Sequence, residues 1–336
     1  MNIAYASTDV SKGTLDCCLL LPVVKPKYRK FPNNAKGHED YRFWTKEHTQ
    51  GMEVRHCMEA TGCYHLGLAS FLAEKDDWVS VENPRRIKHF AIAANLKNKN
   101  DKVDSYCIAR YAQALSPREW ILKDPHRREL DAMRTRLRQL KQDISREENR
   151  LENIFLPELS VLQIRSHVEF LEGQIAQVEQ RVREILAEFK PARDVYNAIV
   201  QMKGAGPETA LLLASIDVQK FECAKVVPVF FGINPRQHQS GKKQGTTTIS
   251  KAGDAVGRSL LVSAAISAAR HNEVLKAFYD KLRTRGLKHK QALAAVARKL
   301  LMITWAIAKA TLEQRPVYYP GGTKISRQAK KYCITT

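Results

Sequence analysis

Apolar side chains follow three different rhythms along the chain. Over the first hundred or so residues they come in short runs. Residues 3–10 are mostly apolar and small and close on an acid, and 14–21 (TLDCCLLL), 27–31, 52–58 and 78–81 are runs of similar length bounded by turn residues. Each predicts a strand. Stretches with apolar residues every three or four positions lie between and after them, at about 64–74, 84–95 and 103–115, and predict helices. Three early strands followed by alternating helices and strands describe a mixed α/β sheet flanked by helices.

The second rhythm starts at Leu130 and runs through Met133, Leu137, Leu140, Ile144, Leu151 and Ile154, with Glu147 its one polar interruption. Pro157 breaks it; it resumes from Leu171 to Phe189 and ends at Pro191. Two long helices joined near Pro157 form either an antiparallel hairpin or a dimerising coiled coil. Stripes of this length need a partner face, so self-association is expected. The third region is helical at both ends, but its middle, 232–258, is rich in Gly, Lys, Ser and Thr. No internal repeat is visible. These shifts divide the chain into 1–120, a helical segment 121–190, a mostly helical domain 191–318 and a basic tail 319–336.

Charge narrows the function. With 55 Lys and Arg against 35 Asp and Glu, the chain carries a formal +20. So basic a protein points to a polyanion, by default nucleic acid. No segment approaches ~18 uninterrupted apolar residues, so no membrane span is expected. The start, MNIAYASTDVSKG, lacks the basic and apolar regions of a secretion signal, which predicts a cytoplasmic protein acting at the nucleoid. Seven cysteines, with no CxxC pair, argue against a disulfide framework and a structural zinc site.

Against that positive background stand four placed acids. Asp9 closes the first strand and Glu59 the strand HCMEATG, while Asp101 and Asp104 open a helix one turn apart. If the two strand ends are neighbours, all four converge. Clustered carboxylates raise one another's pKa unless a cation compensates. Oxygen ligands suit Mg²⁺ or Mn²⁺, and such ions can stabilise attacking and leaving oxygens on a phosphate. Taken singly, each acid is equally explained as a solvated residue or, for Asp101, a helix N-terminal charge.

Two further stretches offer phosphate contacts. Gly204-Ala205-Gly206-Pro207 lies between two apolar helices, where backbone N–H groups at Gly204 and Gly206 can hold a phosphate; a plain αα-hairpin has the same pattern. Downstream, HQSGKKQGTTTISK places Ser240 among Lys242, Lys243 and Lys251, flanked by Arg236 and Arg258. This is either a basic loop gripping a backbone, with Ser240 an ordinary donor, or a loop whose cations activate Ser240 as a nucleophile.

The pieces TDVSKGTLD, MEATGCY, VSVENPRRIKHFA, NKNDKVDSYCIARYA, MKGAGPETALLLASI, FFGINPRQHQSGKK and ISKAGDAVGRSLL, in that order and spacing, resemble the DEDD-type transposases of the insertion-sequence "one-ten" family, the bridge-RNA-guided recombinases. The resemblance covers nearly the whole chain. It implies a RuvC-like, RNase H-type N-terminal domain whose Asp9, Glu59, Asp101 and Asp104 bind Mg²⁺, and a coiled coil used in dimer or tetramer assembly. It also implies a C-terminal transposase domain in which Ser240 attacks DNA to form a phosphoserine intermediate, beside the metal site of another protomer. A structured bridge RNA would pair with double-stranded donor and target DNA. Three positions depart from the family's habit: Ser7 and Asn100 replace glycine and threonine, and Thr246–Thr248 follow the serine where arginines are usual. The competing expectations are a RuvC-type junction resolvase that uses water as nucleophile, and a non-catalytic nucleic-acid binder.

Overall fold

The computed structural model describes residues 3–96, 100–236 and 248–323, and the backbone alone of 239–240 and 243–244. The chain divides into two compact units, Met1–Leu122 and Lys123–Thr336.

The first unit is built on a five-stranded sheet. β1 (Ile3–Val10), β2 (Thr14–Leu20) and β3 (Lys27–Pro32) form an antiparallel meander, and β4 (Glu53–Glu59) and β5 (Trp78–Glu82) add in parallel on the other side of β1. The order is β3-β2-β1-β4-β5, so β1 lies at the centre. Its sequence IAYASTDV explains that place: Ala4, Ala6, Ser7, Thr8 and Val10 are all buried, small or β-branched, and crowd neither face. The helices are α1 (Ala35–Thr49), α2 (His65–Ala73), α3 (Pro84–Ala93) and α4 (Asp101–Leu115). α1 departs from the sequence expectation, which assigned nothing there. Its stretch AKGHEDYRFWTKEHT is mostly polar, and only Tyr41 and Trp44 bring large apolar bulk to the core, where both rings meet Phe31 at 5.9 and 5.7 Å. The stronger signal was Asn34, whose side chain accepts from the Gly37 N–H at 2.9 Å and caps the helix.

The second unit opens with α5 (Pro125–Leu151) and α6 (Glu158–Glu188), an antiparallel hairpin. Its pairs run in opposite senses along the two helices: Glu129 with Arg181, Arg136 with Gln174, Glu147 with His167. The apolar stripes therefore find much of their partner face in each other. The polar interruption, Glu147, is buried and held below the usual carboxylate range, first by Arg150 and then by His167. Pro191 starts a new helix rather than an end, in the first turn of α7 (Lys190–Val200).

After α7 come α8 (Pro207–Ala214), α9 (Val227–Phe230), two short antiparallel ribbons, α10 (Ala255–His271), α11 (Glu273–Thr284) and α12 (His289–Leu312). α12 packs against α7 and α10, with Val296, Leu300, Leu301 and Ala308 fully buried. It is long and apolar enough to cross a membrane by length and composition alone, yet it forms the centre of this unit's core. Arg127 of α5 donates to the carbonyls of Ala214 and Ile216, satisfying the open end of α8. Gly204 is fixed by packing: its φ is +85°, and a Cβ there would lie 2.7 Å from the Ala268 Cα of α10. Among the described residues all six cysteines are free thiols.

Candidate active site

Five acids are brought near one another where β1, β2, β4 and the first turn of α4 come together. Antiparallel pairing sets Asp9 opposite Asp16 on β2. Parallel pairing of β1 with β4 runs to Thr8 and Met58, so the next step along each strand brings Asp9 beside Glu59. Asp104 comes from the first turn of α4, with Asp101 at that helix's first position.

Two of the departures noted in the sequence hold this junction. The Ser7 hydroxyl, fully buried on β1, donates to the Ser105 carbonyl of α4 at 2.5 Å, tying the strand that carries Asp9 to the helix that carries Asp104. Asn100 caps α4, its side chain accepting from the Val103 N–H at 2.9 Å. Asparagine and threonine both serve as N-caps, so this substitution keeps the helix start and its acids in place.

The electrostatics separate the acids by role. Burial raises the Asp9 pKa, and Asp104, Asp16 and Asp101 push it further. Burial likewise raises Glu59, with Asp9 and Asp104 adding to it. Beneath them burial lifts the Cys107 thiol to about 11, again with Asp104 and Glu59 contributing. Asp101 sits at the rim, its side chain 69% exposed and 3.6 Å from the Lys30 ammonium. Lys30 also pairs with Asp16 at 3.1 Å. The structure thus groups Asp9, Glu59 and Asp104, leaves Asp101 outermost, and adds Asp16, which the sequence reading missed. The signal for Asp16 was present: the Ser11-Lys12-Gly13 turn, closed by the Ser11 N–H on the Thr14 carbonyl, sets residues 9 and 16 face to face.

Among the described residues no three acid, histidine or cysteine side chains lie close enough to hold a metal ion as they stand. The donor chemistry nonetheless fits a hard divalent cation: partly buried carboxylates that repel one another, with Lys30 reaching only the rim. Mg²⁺ commonly takes one or two carboxylates and completes its shell with water and substrate phosphate, so an open set of this kind is enough.

The serine lies in the second unit, on a stem and hairpin. β6 (Pro235–Arg236) pairs with β9 (Thr248–Ile249), and β7 (Gln239–Ser240) with β8 (Lys243–Gln244). The Ser250 and Lys251 N–H groups bond the Asn234 and Gly232 carbonyls at 3.0 and 3.1 Å. Gly253, at φ +113°, passes so close to the Phe230 carbonyl that a Cβ would fall 2.0 Å from its oxygen. The stem is therefore locked at its base. In the hairpin the Ser240 backbone sits directly opposite Lys243. The side chains of Ser240 and Lys243, and all of Lys242, lie outside the described residues. Arg236 and Lys251 are exposed on the stem. Arg258 is partly buried and donates to the Phe231 carbonyl at 3.1 Å, which secures the stem as well as offering charge. Gly206 caps α8 without a side-chain bond and faces open space, unlike tightly packed Gly204.

Two family profiles match the chain, one after the other. Residues 6–159 match a family profile described as a transposase, and residues 196–280 match one described as a transposase of the IS116/IS110/IS902 family. The chain is 25% identical over 315 residues to a pilin gene-inverting protein of Moraxella bovis, covering 92% of this chain and 97% of that one. It is 34% identical over 119 residues to the transposase for insertion sequence element IS1111A of Coxiella burnetii, covering 32% and 31%.

Two outcomes follow for the acid cluster. Asp9 and Glu59 have folded pKa values above their ordinary 3.8 and 4.5, so the folded state holds protons that the unfolded chain releases. Their contribution to stability is complete below about pH 4 and is lost as pH rises through the raised values. The melting temperature of metal-free protein should fall across that window, and Asp9→Asn should flatten the fall; an unchanged profile in the variant contradicts the grouping. Ser7→Ala should lower unfolding free energy by about 1 kcal/mol in urea titration, the size of one buried hydrogen bond.

Proposed function

Since the chain belongs to the IS116/IS110/IS902 family of transposases, enzymes that act on DNA, we propose that it cuts and rejoins donor and target DNA through Ser240 with the help of the Asp9 cluster. The observation that carries this reading is the group of repelling, partly buried carboxylates in a chain of net charge +20. An acid cluster that must meet a polyanion has a use only if a cation joins it. The sheet order β3-β2-β1-β4-β5, with acids at the ends of β1 and β4, supports an RNase H-type unit.

Asp9, Glu59 and Asp104 are the residues that would hold Mg²⁺ or Mn²⁺, with Asp101 and Asp16 tuning the rim through Lys30. When bound, the ion supplies positive charge to the scissile phosphate and to the departing oxygen. The rest belongs to the chain itself. The Ser240 Oγ forms a bond to phosphorus as the bond from phosphorus to a deoxyribose oxygen breaks. The serine proton leaves, and the departing sugar oxygen takes up a proton. Attack by another sugar hydroxyl then reverses the step on a new partner and frees the serine. The number of phosphodiester bonds is conserved, so no external energy source is needed. The locked stem under Ser240 suits such a role, because a nucleophile must be held in a defined orientation.

The Moraxella relative is named for inverting a pilin gene, and inversion is one outcome of cutting and rejoining at two sites. Choice of site is assigned in this proposal to base pairing with a structured guide RNA, for which the basic surface is suited; the protein would then hold backbones rather than read bases. Assembly of two or more chains is supported by the free end of the α5–α6 hairpin. There Ile154 and Phe155 are each 86% exposed, with Leu159, Leu162 and Phe170 also uncovered.

The decisive experiment mixes protein, its RNA, Mg²⁺ and end-labelled DNA, and resolves products on a denaturing protein gel. Label should travel with wild type and not with Ser240→Ala, and Asp9→Asn should give neither adduct nor nick. Free nicked DNA from wild type and Ser240→Ala alike would make water the attacker and the enzyme a RuvC-type nuclease. For assembly, light scattering should show a multimer that Phe155→Asp shifts toward monomer; a monomeric active wild type would remove the claim.

A further inference from the structure

The second unit holds a groove that neither the acid cluster nor the Ser240 hairpin uses. Two adjoining cavities, of about 660 and 490 Å³, lie among α5, α6, α10 and the first turn of α8, and share Lys141, Glu208, Leu260 and Ser263. Along one wall α10 presents Ser259, Ser263 and Ser267, all exposed and spaced four residues apart, so they stack on one helical face. On the α5 side stand Arg138, Lys141 and Arg146, and α6 adds Arg183. Two carboxylates line the groove, Glu179 and Glu208, and Glu208 is already paired with Lys141 at 2.6 Å. The Arg138 guanidinium is steadied by a bond to the Val256 carbonyl at 3.0 Å. Arg183 donates to Gln180 of its own helix. At the α8 end the cap residue is Gly206, which puts no side chain between the helix start and the open space.

We propose that this groove is a separate DNA contact, which grips the phosphodiester backbone without reading sequence. Arginines and lysines, hydroxyls and a helix N-terminus are the donor types that position a nucleic-acid backbone, and here they line a single channel. The Lys141–Glu208 and Arg146–Asp143 pairs cancel within themselves, and Arg138 and Arg183 remain against Glu179, so the net field favours an anion. The serine stripe spans eight residues, about 12 Å at the helical rise, which matches about three to four base steps at 3.4 Å each. Leu137, Leu211 and Leu260 form an apolar floor on which deoxyribose can rest. The inference rests on the reading of the chain as an enzyme acting on DNA, and gives that reading an anchor remote from the chemistry.

The test uses full-length protein without divalent cation, so that nothing is cut. Binding of a labelled duplex is followed by fluorescence anisotropy across a series of NaCl concentrations, for wild type, Ser263→Glu and Arg183→Gln. Ser263→Glu puts a carboxylate into the groove from an exposed helix position and should weaken binding about tenfold. Arg183→Gln should reduce the slope of log affinity against log salt by about 0.9, the loss of one phosphate contact. Melting curves matching wild type show that both fold, and Arg183→Gln still decides the matter if Ser263→Glu does not. Unchanged affinity and slope in folded variants overturn the proposal while leaving the enzyme reading intact. A wild type that binds no duplex overturns both. A loss confined to a single-stranded RNA probe, with duplex binding unchanged, overturns the DNA assignment and gives the groove to RNA.

Discussion

Negative charge gathered against its own repulsion is the constraint around which the first unit is organised. Burial raises the pKa of Asp9 and of Glu59, Asp104 pushes both further, and Asp16 and Asp101 add to the load on Asp9. Left to themselves such groups separate, so the backbone has to hold them. It does so with a central strand flanked by Asp16 near the start of β2 and Glu59 at the end of β4, and with α4 tied to that strand by the Ser7 hydroxyl. Lys30 relieves the rim, reaching Asp16 and Asp101, and leaves the interior of the cluster uncompensated. In the proposed reading, that residual imbalance is what a divalent cation would offset.

The second unit solves a different problem, the display of a polar loop from an apolar helical core. Residues 230–234 and 249–254 are cross-bonded, and Gly253 allows the two strands of chain to touch backbone to backbone. Asp254 caps α10 through the Val256 and Gly257 N–H groups at 2.9 Å, so the returning chain is fixed as soon as it leaves the stem. Below it, α12 supplies a buried scaffold, with the Trp305 indole bonded to the Val218 carbonyl at 3.0 Å.

Much of this was legible in the sequence because local pattern and tertiary role agree. The five strands were read in place, because each is short and bounded by turn residues. Two long helices broken at Pro157 are legible from their 3–4 rhythm, but that rhythm leaves open whether they pair with each other or with another chain, and in the structure they pair with each other. α1 was not legible, since its burial rests on Tyr41 and Trp44 amid charged residues, and a cap at Asn34 says little by itself. Asp16 was passed over for another reason, although the Ser11-Lys12-Gly13 turn carried its signal. Its place beside Asp9 is a matter of strand register, and periodicity assigns strands without pairing them. Glu147 read as a flaw in an apolar stripe, and only the opposing His167 explains why a carboxylate is tolerated there. The Ser240 loop is the limit case: its composition named the residue types for phosphate chemistry but not which of two roles the serine takes.

In the proposed reaction the charge pattern has an energetic consequence. A phosphate brought among carboxylates adds a further negative charge, and at contact distance each such pair costs about 1 kcal/mol even in water. A cation offsets part of that, and the remainder must come from contacts elsewhere on the polyanion. A chain of net +20 supplies them along its surface. Contacts remote from the reacting bond serve catalysis when their binding free energy is used to bring the phosphate into a place it would otherwise avoid. The acid cluster and the basic surface are therefore complementary requirements: the more strongly the carboxylates repel an incoming phosphate, the more the backbone-gripping cations must contribute to seat it.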